Sequence, residues 1–215
     1  MFLLFGPPGA GKGTQAELLM QKYNLKKFSM GDILREEVAA GSKIGKMVEG
    51  VLKKGTLVSD DIVFEIVEDF VLENSHKNIL FDGFPRNLNQ ALGLERILAQ
   101  HNLKLVLAIE LYLPEEEIIT RISGRNYCPV CGAIFNEATN PPVRSGICDK
   151  CGARLVKRPD DDPQVIKNRL LIYNEETRPL AEYYKAQGIY RQVSALGDKE
   201  TVFKRLIQVI DGYFK

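Results

Sequence analysis

A chain of 215 residues with a formal charge of +1 is long enough to bury roughly 70% of its unfolded surface, and it has no global field to draw it to nucleic acid or an anionic membrane. Its composition, 45% hydrophobic and 27% charged, is globular. It has no apolar run of about 18 residues and no charged leader before an apolar segment, which points to a cytoplasmic protein. Four cysteines at this length do not make a secreted disulfide scaffold, and there is no repeat or low-complexity tract.

Phe2–Phe5 is an apolar run that stops at glycine and proline, as a buried strand does, and a helix is expected from Lys12 to about Tyr23. Lys27–Ser29 is a weak strand, followed by helices near Asp32–Ala39 and Ser42–Lys53 and another over Asp60–Leu72. Ile79–Phe81 reads as a second buried strand ending at Asp82, then Leu88–Gln100 as a helix and Lys104–Leu113 as a long apolar strand. Pro114 suits the first position of a helix, with Glu115, Glu116 and Glu117 at its positive end and a stop near Gly124. Helical pattern returns at Asp162-Pro163 and runs to about Ala186, before a strand at Ile189–Ser194 and a helix at Glu200–Tyr213. The alternation implies a parallel α/β sheet. It breaks between Gly124 and Asp162, the segment that holds all four cysteines.

GPPGAGKGT (Gly6–Thr14) stands between a strand and a helix, as a P-loop must. Its glycines let backbone N–H groups crowd round a phosphate, the helix N-terminus adds positive potential, and Lys12 brings a full charge to the β/γ-phosphates. Gly13 stands where the motif has its hydroxyl, which follows at Thr14. Asp82 ends a strand where a Walker-B carboxylate would hold Mg²⁺, directly or through water; a turn-forming Asp before Gly83 is the bland alternative.

Phosphoryl transfer needs positioned cations more than covalent chemistry, and the chain supplies arginines. Arg121 and Arg125 stand four apart at an expected helix end, where like charges favour an anion between them. Arg169 has Val165, Ile166, Ile172 and Tyr173 as helical neighbours, so it needs a partner: substrate phosphate, or one of Asp160, Asp161 and Asp162. Arg158 and Arg86 stand nearby in sequence to further polar motifs. No nucleophile–base pair is evident; His76 and His101 lie in polar, loop-like surroundings. Asp32 is open to two readings, a base that activates a hydroxyl or a helix-start residue that helps Arg35 hold an anion.

Cys128-Pro-Val-Cys131 and Cys148-Asp-Lys-Cys151 are two C-x2-C pairs with sixteen residues between them, the spacing of a structural zinc site with two knuckles. Gly132 and Gly152 follow the inner positions and suit tight turns under a metal. Two disulfides are the competing reading. Four thiolates would leave no open coordination position, so the Zn²⁺ would be structural.

GPPGAGKGTQ, FSMGDILR, DGFPRNLNQA, the RISGR run and RPDDDPQVIKNR, in this order over essentially the whole chain, resemble the adenylate kinase family in its long-lid bacterial form. The resemblance implies a P-loop NTPase-like parallel β-sheet core flanked by helices (1–28, 60–123 and 162–215). Into it are inserted a small helical monophosphate-binding segment (29–59) and a zinc-knuckle lid (124–161). It implies reversible phosphoryl transfer from Mg·ATP to AMP, giving two ADP, by an enzyme that is mostly monomeric in the family. Gly9, Ala10, Gly11, Lys12, Gly13 and Thr14 would cradle the ATP phosphates, with Arg121 and Arg125 on the ATP side. Ile134 and Phe135 of the lid, and the backbone at Lys199, would approach the ATP base. Arg35 and Arg86 would bind the AMP phosphate, and Arg158 and Arg169 would bridge the transferring group. Thr56, Leu57 and Val58, with Gly83, Phe84, Pro85 and Arg86, would shape the AMP pocket, and Gln90 would read the adenine edge. Lys12, Arg86, Arg121, Arg125, Arg158 and Arg169 are thus the expected catalytic cations, with Asp82 holding Mg²⁺ through water.

In the family the Gly-Asp pair starts a helix, which makes Asp32 structural and Arg35 the working residue. Met30 stands where the family usually has threonine, so AMP remains the expected acceptor with altered base discrimination. The lid would close over ATP, exclude water and deliver Arg125 and Arg158.

Three other classes compete. A zinc-ribbon nucleic-acid-binding ATPase would need a basic ribbon, yet between Cys128 and Cys151 Arg144 and Lys150 are opposed by Glu137 and Asp149. A nucleotide-controlled switch would retain one nucleotide, and a hydroxyl-directed kinase would use Asp32 as base.

Overall fold

Strand β1 (Phe2–Phe5) is buried along its whole length because it lies at the centre of a sheet covered on both faces, where alternation gives way to an unbroken apolar run. The computed structural model describes residues 1–158 and 161–214. Four further strands, β2 (Lys26–Ser29), β3 (Ile79–Asp82), β4 (Leu107–Tyr112) and β7 (Tyr190–Ser194), complete a parallel sheet of order β2-β3-β1-β4-β7. Leu3 sits opposite Phe81 on one side and Ala108 on the other.

Successive strand residues point to opposite faces, so the sheet carries two cores. Leu3, Phe5, Phe28 and Phe81 pack under α4 (Asp60–Asn74), α5 (Leu88–Gln100) and α8 (Leu180–Ala186). Phe2, Leu4, Leu80 and Ile109 pack under α1 (Lys12–Tyr23), α6 (Glu115–Ser123), α7 (Pro163–Ile172) and α9 (Lys199–Ile210). In α4 the buried Val63, Val67 and Val71 recur every fourth residue, the stripe an amphipathic helix lays on a sheet.

Two excursions leave this sheet. Helices α2 (Met30–Ala40) and α3 (Lys43–Lys54) form a hairpin after β2; it is tight because Gly45 lets α3 approach the Glu37 carbonyl of α2. Strands β5 (Arg125–Tyr127) and β6 (Ile134–Asn136) pair antiparallel in a separate small sheet. That excursion has its own core of Cys128, Ala133, Phe135 and Cys148.

The parallel α/β architecture read from the sequence is the one observed. Three elements differ. The strand expected from Lys104 begins at Leu107, because β1 starts only at Phe2 and offers no partner strand earlier; Val106 N bonds the Met1 carbonyl instead. Pro114 is the cap of α6 and not its first turn, with ψ at 148° and its carbonyl accepting from Ile118 N. The single helix expected from Asp162 to Ala186 is two helices joined by a π-helical turn, Tyr173–Thr177, closed by Arg178 N on the Tyr173 carbonyl at 2.8 Å. Pro179 accounts for the break, since it has no N–H for the carbonyl four residues back and its ring crowds that carbonyl.

Candidate active site

The P-loop leaves β1 where the strand order turns back, with β3 on one side and β4 on the other, so the strand ends open a crevice. Gly11 caps α1 at φ 84°, a left-handed conformation that turns consecutive N–H groups inward. Lys12 Nζ donates to the carbonyls of Gly6 (2.8 Å) and Pro7 (2.9 Å), which lays the ammonium along the loop. Burial pushes Lys12 down to about 7; Asp82 opposes that shift, while Arg86, Arg169 and Arg125 add to it. Asp82 itself is raised by burial and held back by Lys12. Several cations facing one buried carboxylate make a site that a polyphosphate stabilises.

A cavity of about 210 Å³ joins these groups. The expected cradle, Gly9 to Thr14, forms its floor, and Asp82 and Gly83 its inner wall. A Cβ on Gly13 would stand 3.6 Å from Asp82 Oδ2, so the carboxylate abuts the first turn of α1, which carries the Thr14 hydroxyl. Arg121, Arg125, Arg158 and Arg169 line the same cavity, with Ile134 and Phe135 from the small sheet and Lys199 from the start of α9.

The arginines are held in different ways. Arg121 NH2 donates to the Gly197 carbonyl at 3.1 Å, and burial lowers its pKa. Arg125 is not the helix neighbour of Arg121 that the spacing suggested: α6 ends at Ser123 and Arg125 begins β5. Its guanidinium pairs with Asp161 through Nε at 2.9 Å and through NH2, and Arg169 NH1 stands 3.9 Å from the same carboxylate. Of the partners weighed for Arg169, Asp161 is therefore present and Asp162 instead caps α7, accepting from Gln164 N; Asp160 lies outside the described residues. Arg158 stacks 4.9 Å over the Tyr127 ring.

A second cavity of about 60 Å³ opens beside the first, under the α2–α3 hairpin. Met30, Thr56, Leu57, Val58, Phe84 and Gln90 line it, and Gly83, Arg35, Arg86 and Arg169 stand where it meets the larger one. Pro85 faces a third cavity with Arg86 and Arg169, and Arg158 reaches only the first. Gln90 is fixed at both ends of its amide: Oε1 accepts from Arg86 N (2.9 Å) and Nε2 donates to Asp60 Oδ1 (2.8 Å). Asp32 accepts from Lys27 Nζ at 3.0 Å and from Arg35. Burial raises its carboxyl, but Lys27 and Arg35 outweigh that and bring it to about 2. His76 is exposed and His101 follows α5; neither lines these cavities.

The four cysteine sulfurs lie within 4.8 Å of one another. Cys128 Sγ is 3.4 Å from Cys151 Sγ, and Cys131 Sγ is 3.5 Å from Cys148 Sγ. A Zn–S bond of about 2.3 Å gives a tetrahedron with edges of about 3.8 Å, whereas a disulfide needs about 2.05 Å. The two pairs form matching knuckles. Gly132 N bonds the Cys128 carbonyl and Gly152 N the Cys148 carbonyl, while Cys128 N and Cys148 N bond Ala133 and Ala153. Burial raises the Cys128 thiol, but the N–H groups of Cys131 and Val130 outweigh it and lower its pKa, while Cys131 and Cys151 are raised, as in a close set of sulfurs sharing protons.

Sequence reasoning missed Lys27 and Asp60 as partners of site residues, and it weighed Asp161 for Arg169 without seeing that it also holds Arg125.

P-loop, convergent arginines and a second pocket define a nucleotide phosphotransferase of the P-loop class. The family model for adenylate kinase matches residues 4–189. The chain is 40% identical to the adenylate kinase of Thermococcus kodakarensis over 209 residues, 97% of this chain and 93% of that protein. It is 44% identical to that of Caldicellulosiruptor saccharolyticus over 199 residues, 92% of each, and 39% identical to that of Thermodesulfovibrio yellowstonii over 213 residues, 98% and 99%. The chain belongs to the adenylate kinase family.

Proposed function

We propose that the chain transfers a phosphoryl group reversibly from Mg·ATP to AMP, giving two ADP, with ATP in the larger cavity and AMP in the pocket under the α2–α3 hairpin. The observation that carries this reading is the junction of the two cavities: Arg35, Arg86 and Arg169 line both, beside Lys12 and the P-loop. Among the described residues, an acceptor placed there meets chiefly cations, and the carboxylate nearest Arg35 is Asp32. Asp32, near 2 and paired with Lys27 and Arg35, is too weak a base to take a hydroxyl proton, so an acceptor that is already an anion fits better than an alcohol.

Residues 29–59 serve as the acceptor segment and 124–161 as a lid on a core of 1–28, 60–123 and 162–215. Ile134 and Phe135 of the lid close over the ATP base beside Lys199, and Asp82 holds Mg²⁺ through water. Zn²⁺ on Cys128, Cys131, Cys148 and Cys151 is structural, because its four ligands are all protein thiolates. The enzyme works as a cytoplasmic monomer; no helix among the described residues is long and apolar enough to cross a membrane. The near-neutral stretch from Cys128 to Cys151 does not favour the nucleic-acid-binding alternative.

A panel of ATP with AMP, GMP, CMP and UMP, with metal analysis of the same sample, tests the reading. AMP should turn over best and one zinc per chain should be found. Best turnover with a pyrimidine monophosphate, or a single nucleotide retained without turnover, would overturn it.

A further inference from the structure

Glu110 is a buried carboxylate in the middle of the main sheet that the proposed chemistry does not use. It sits on β4 in register with Phe5, the residue just before the P-loop. Three donors converge on it: Tyr173 OH at 2.8 Å, Tyr190 OH at 2.5 Å and Gln192 Nε2 at 3.1 Å. Burial, reinforced by Glu110, raises the pKa of the Tyr173 phenol, so it remains protonated and donates.

Tyr173 lies one helical turn beyond Arg169 and opens the π-helical turn; its N–H also bonds the Arg169 carbonyl. At the other end of that turn, buried Thr177 donates its hydroxyl to the Arg86 carbonyl at 2.6 Å. Arg86 is fixed further by its own N–H on Gln90 and by Nε on the Gly83 carbonyl at 3.0 Å. One five-residue turn thus links the strand beside the P-loop, the helix of Arg169 and the loop of Arg86. The third cavity, about 60 Å³, lies between these parts, lined by Lys12, Arg86, Arg169, Tyr173 and Thr177. Wide helical turns of this kind are frequent at functional sites.

We infer that Glu110, Tyr173 and Thr177 are positioning residues for phosphoryl transfer: the π turn fixes the spacing of Arg169 and Arg86 relative to the P-loop. This rests on the phosphotransferase reading of the same cavities. A displacement of about 1 Å at a site that works by positioning costs on the order of 100-fold in rate, so loss of one hydroxyl that sets this spacing should be visible in turnover.

The test compares the full-length protein with Tyr173→Phe and Thr177→Val, each alone and combined with a lysine replacement of the arginine it holds, Arg169→Lys for Tyr173→Phe and Arg86→Lys for Thr177→Val, measuring kcat, both KM values and the thermal midpoint. Each single variant should lose about tenfold in kcat, with KM for ATP and AMP within about twofold of wild type. In the matching lysine background the further loss should shrink to less than about twofold, because each hydroxyl acts through the arginine replaced there. A folded variant with unchanged kcat, or an equal factor lost in both backgrounds, overturns the inference. Thr177→Val gives an independent answer if Tyr173→Phe unfolds. Wild type inactive with ATP and AMP would overturn the phosphotransferase reading and this inference with it, whereas active wild type with unaffected variants overturns the inference alone.

Discussion

Removal of the proposed zinc should disorder the lid and spare the core. Apart from cysteine, the small lid core buries only Ala133 and Phe135, with Ala153 and Leu155 partly covered. At about 1.5–3 kcal/mol for a fully buried large side chain, their burial contributes about 5 kcal/mol in all. Structural zinc in small thiolate sites contributes on the order of 10–16 kcal/mol, so the metal supplies the larger share of the lid's order. Neither main-sheet core includes a lid residue. Depletion with a strong chelator, checked by metal analysis, should therefore make the segment from Tyr127 to Val156 sensitive to limited proteolysis. A separate high-temperature transition of the core should persist. Loss of Arg125, Arg158, Ile134 and Phe135 from the ATP side should raise KM for ATP and lower kcat, leaving residual transfer. Cys148→Ser should behave alike. A metal-free protein whose lid resists protease, with unchanged kinetics, would refute the reasoning.

Four more outcomes follow from the site. Lys12 is held near 7 by burial and by Arg86, Arg169 and Arg125, and a polyphosphate restores its charge, so ATP binding at pH 8 should take up about one proton. Calorimetry in buffers of different ionisation enthalpy measures this, and heats independent of buffer would refute it. In the ligand-free protein this pKa lies below the unfolded value of 10.5, so the unfolded chain binds the extra proton and stability should rise between pH 7 and 10.5. A Lys12→Met variant should lack that rise in denaturant titrations. Asp60→Ala frees the Gln90 amide, and the loss of one orienting hydrogen bond, about 1 kcal/mol, should cut the AMP-over-GMP ratio of kcat/KM by roughly five- to tenfold; an unchanged ratio counts against amide readout. Gly45→Ala places a Cβ 2.1 Å from the Glu37 carbonyl, so α2 and α3 must part at a cost of about 1–3 kcal/mol. KM for AMP should rise while KM for ATP stays constant.

The middle of the sheet was legible because β1, β3 and β4 are apolar runs that stop at glycine or proline, and the P-loop because strand, glycines and lysine follow in a spacing that chemistry demands. The four-cysteine cluster was legible for the same reason: the spacing within each C-x2-C pair is local. What escaped is set by partners distant in sequence. Glu110 stands in a run that reads as a simple apolar strand, yet it collects three donors from residues more than sixty positions away. The π turn needed Pro179 to be weighed against an otherwise helical pattern. Arg125 was misplaced because helical spacing to Arg121 continues in the sequence past the point where α6 ends. Polar partners of site residues, such as Asp60 for Gln90, are fixed by tertiary packing and leave almost no local mark, whereas Asp161 was in view as one of three acids beside Arg169.

The excursion that bears the cysteines leaves and rejoins the core at nearly one point. Lys157 Nζ bonds the Ser123 carbonyl at 2.7 Å, and Tyr127 and Val156 exchange backbone hydrogen bonds at 2.8 Å. A short linker bridging those two stems would leave every strand of the parallel sheet in register. Architecturally the cover is a cassette, and a different insert, ordered by other chemistry, could be grafted at the same stems without redesign of the catalytic floor beneath.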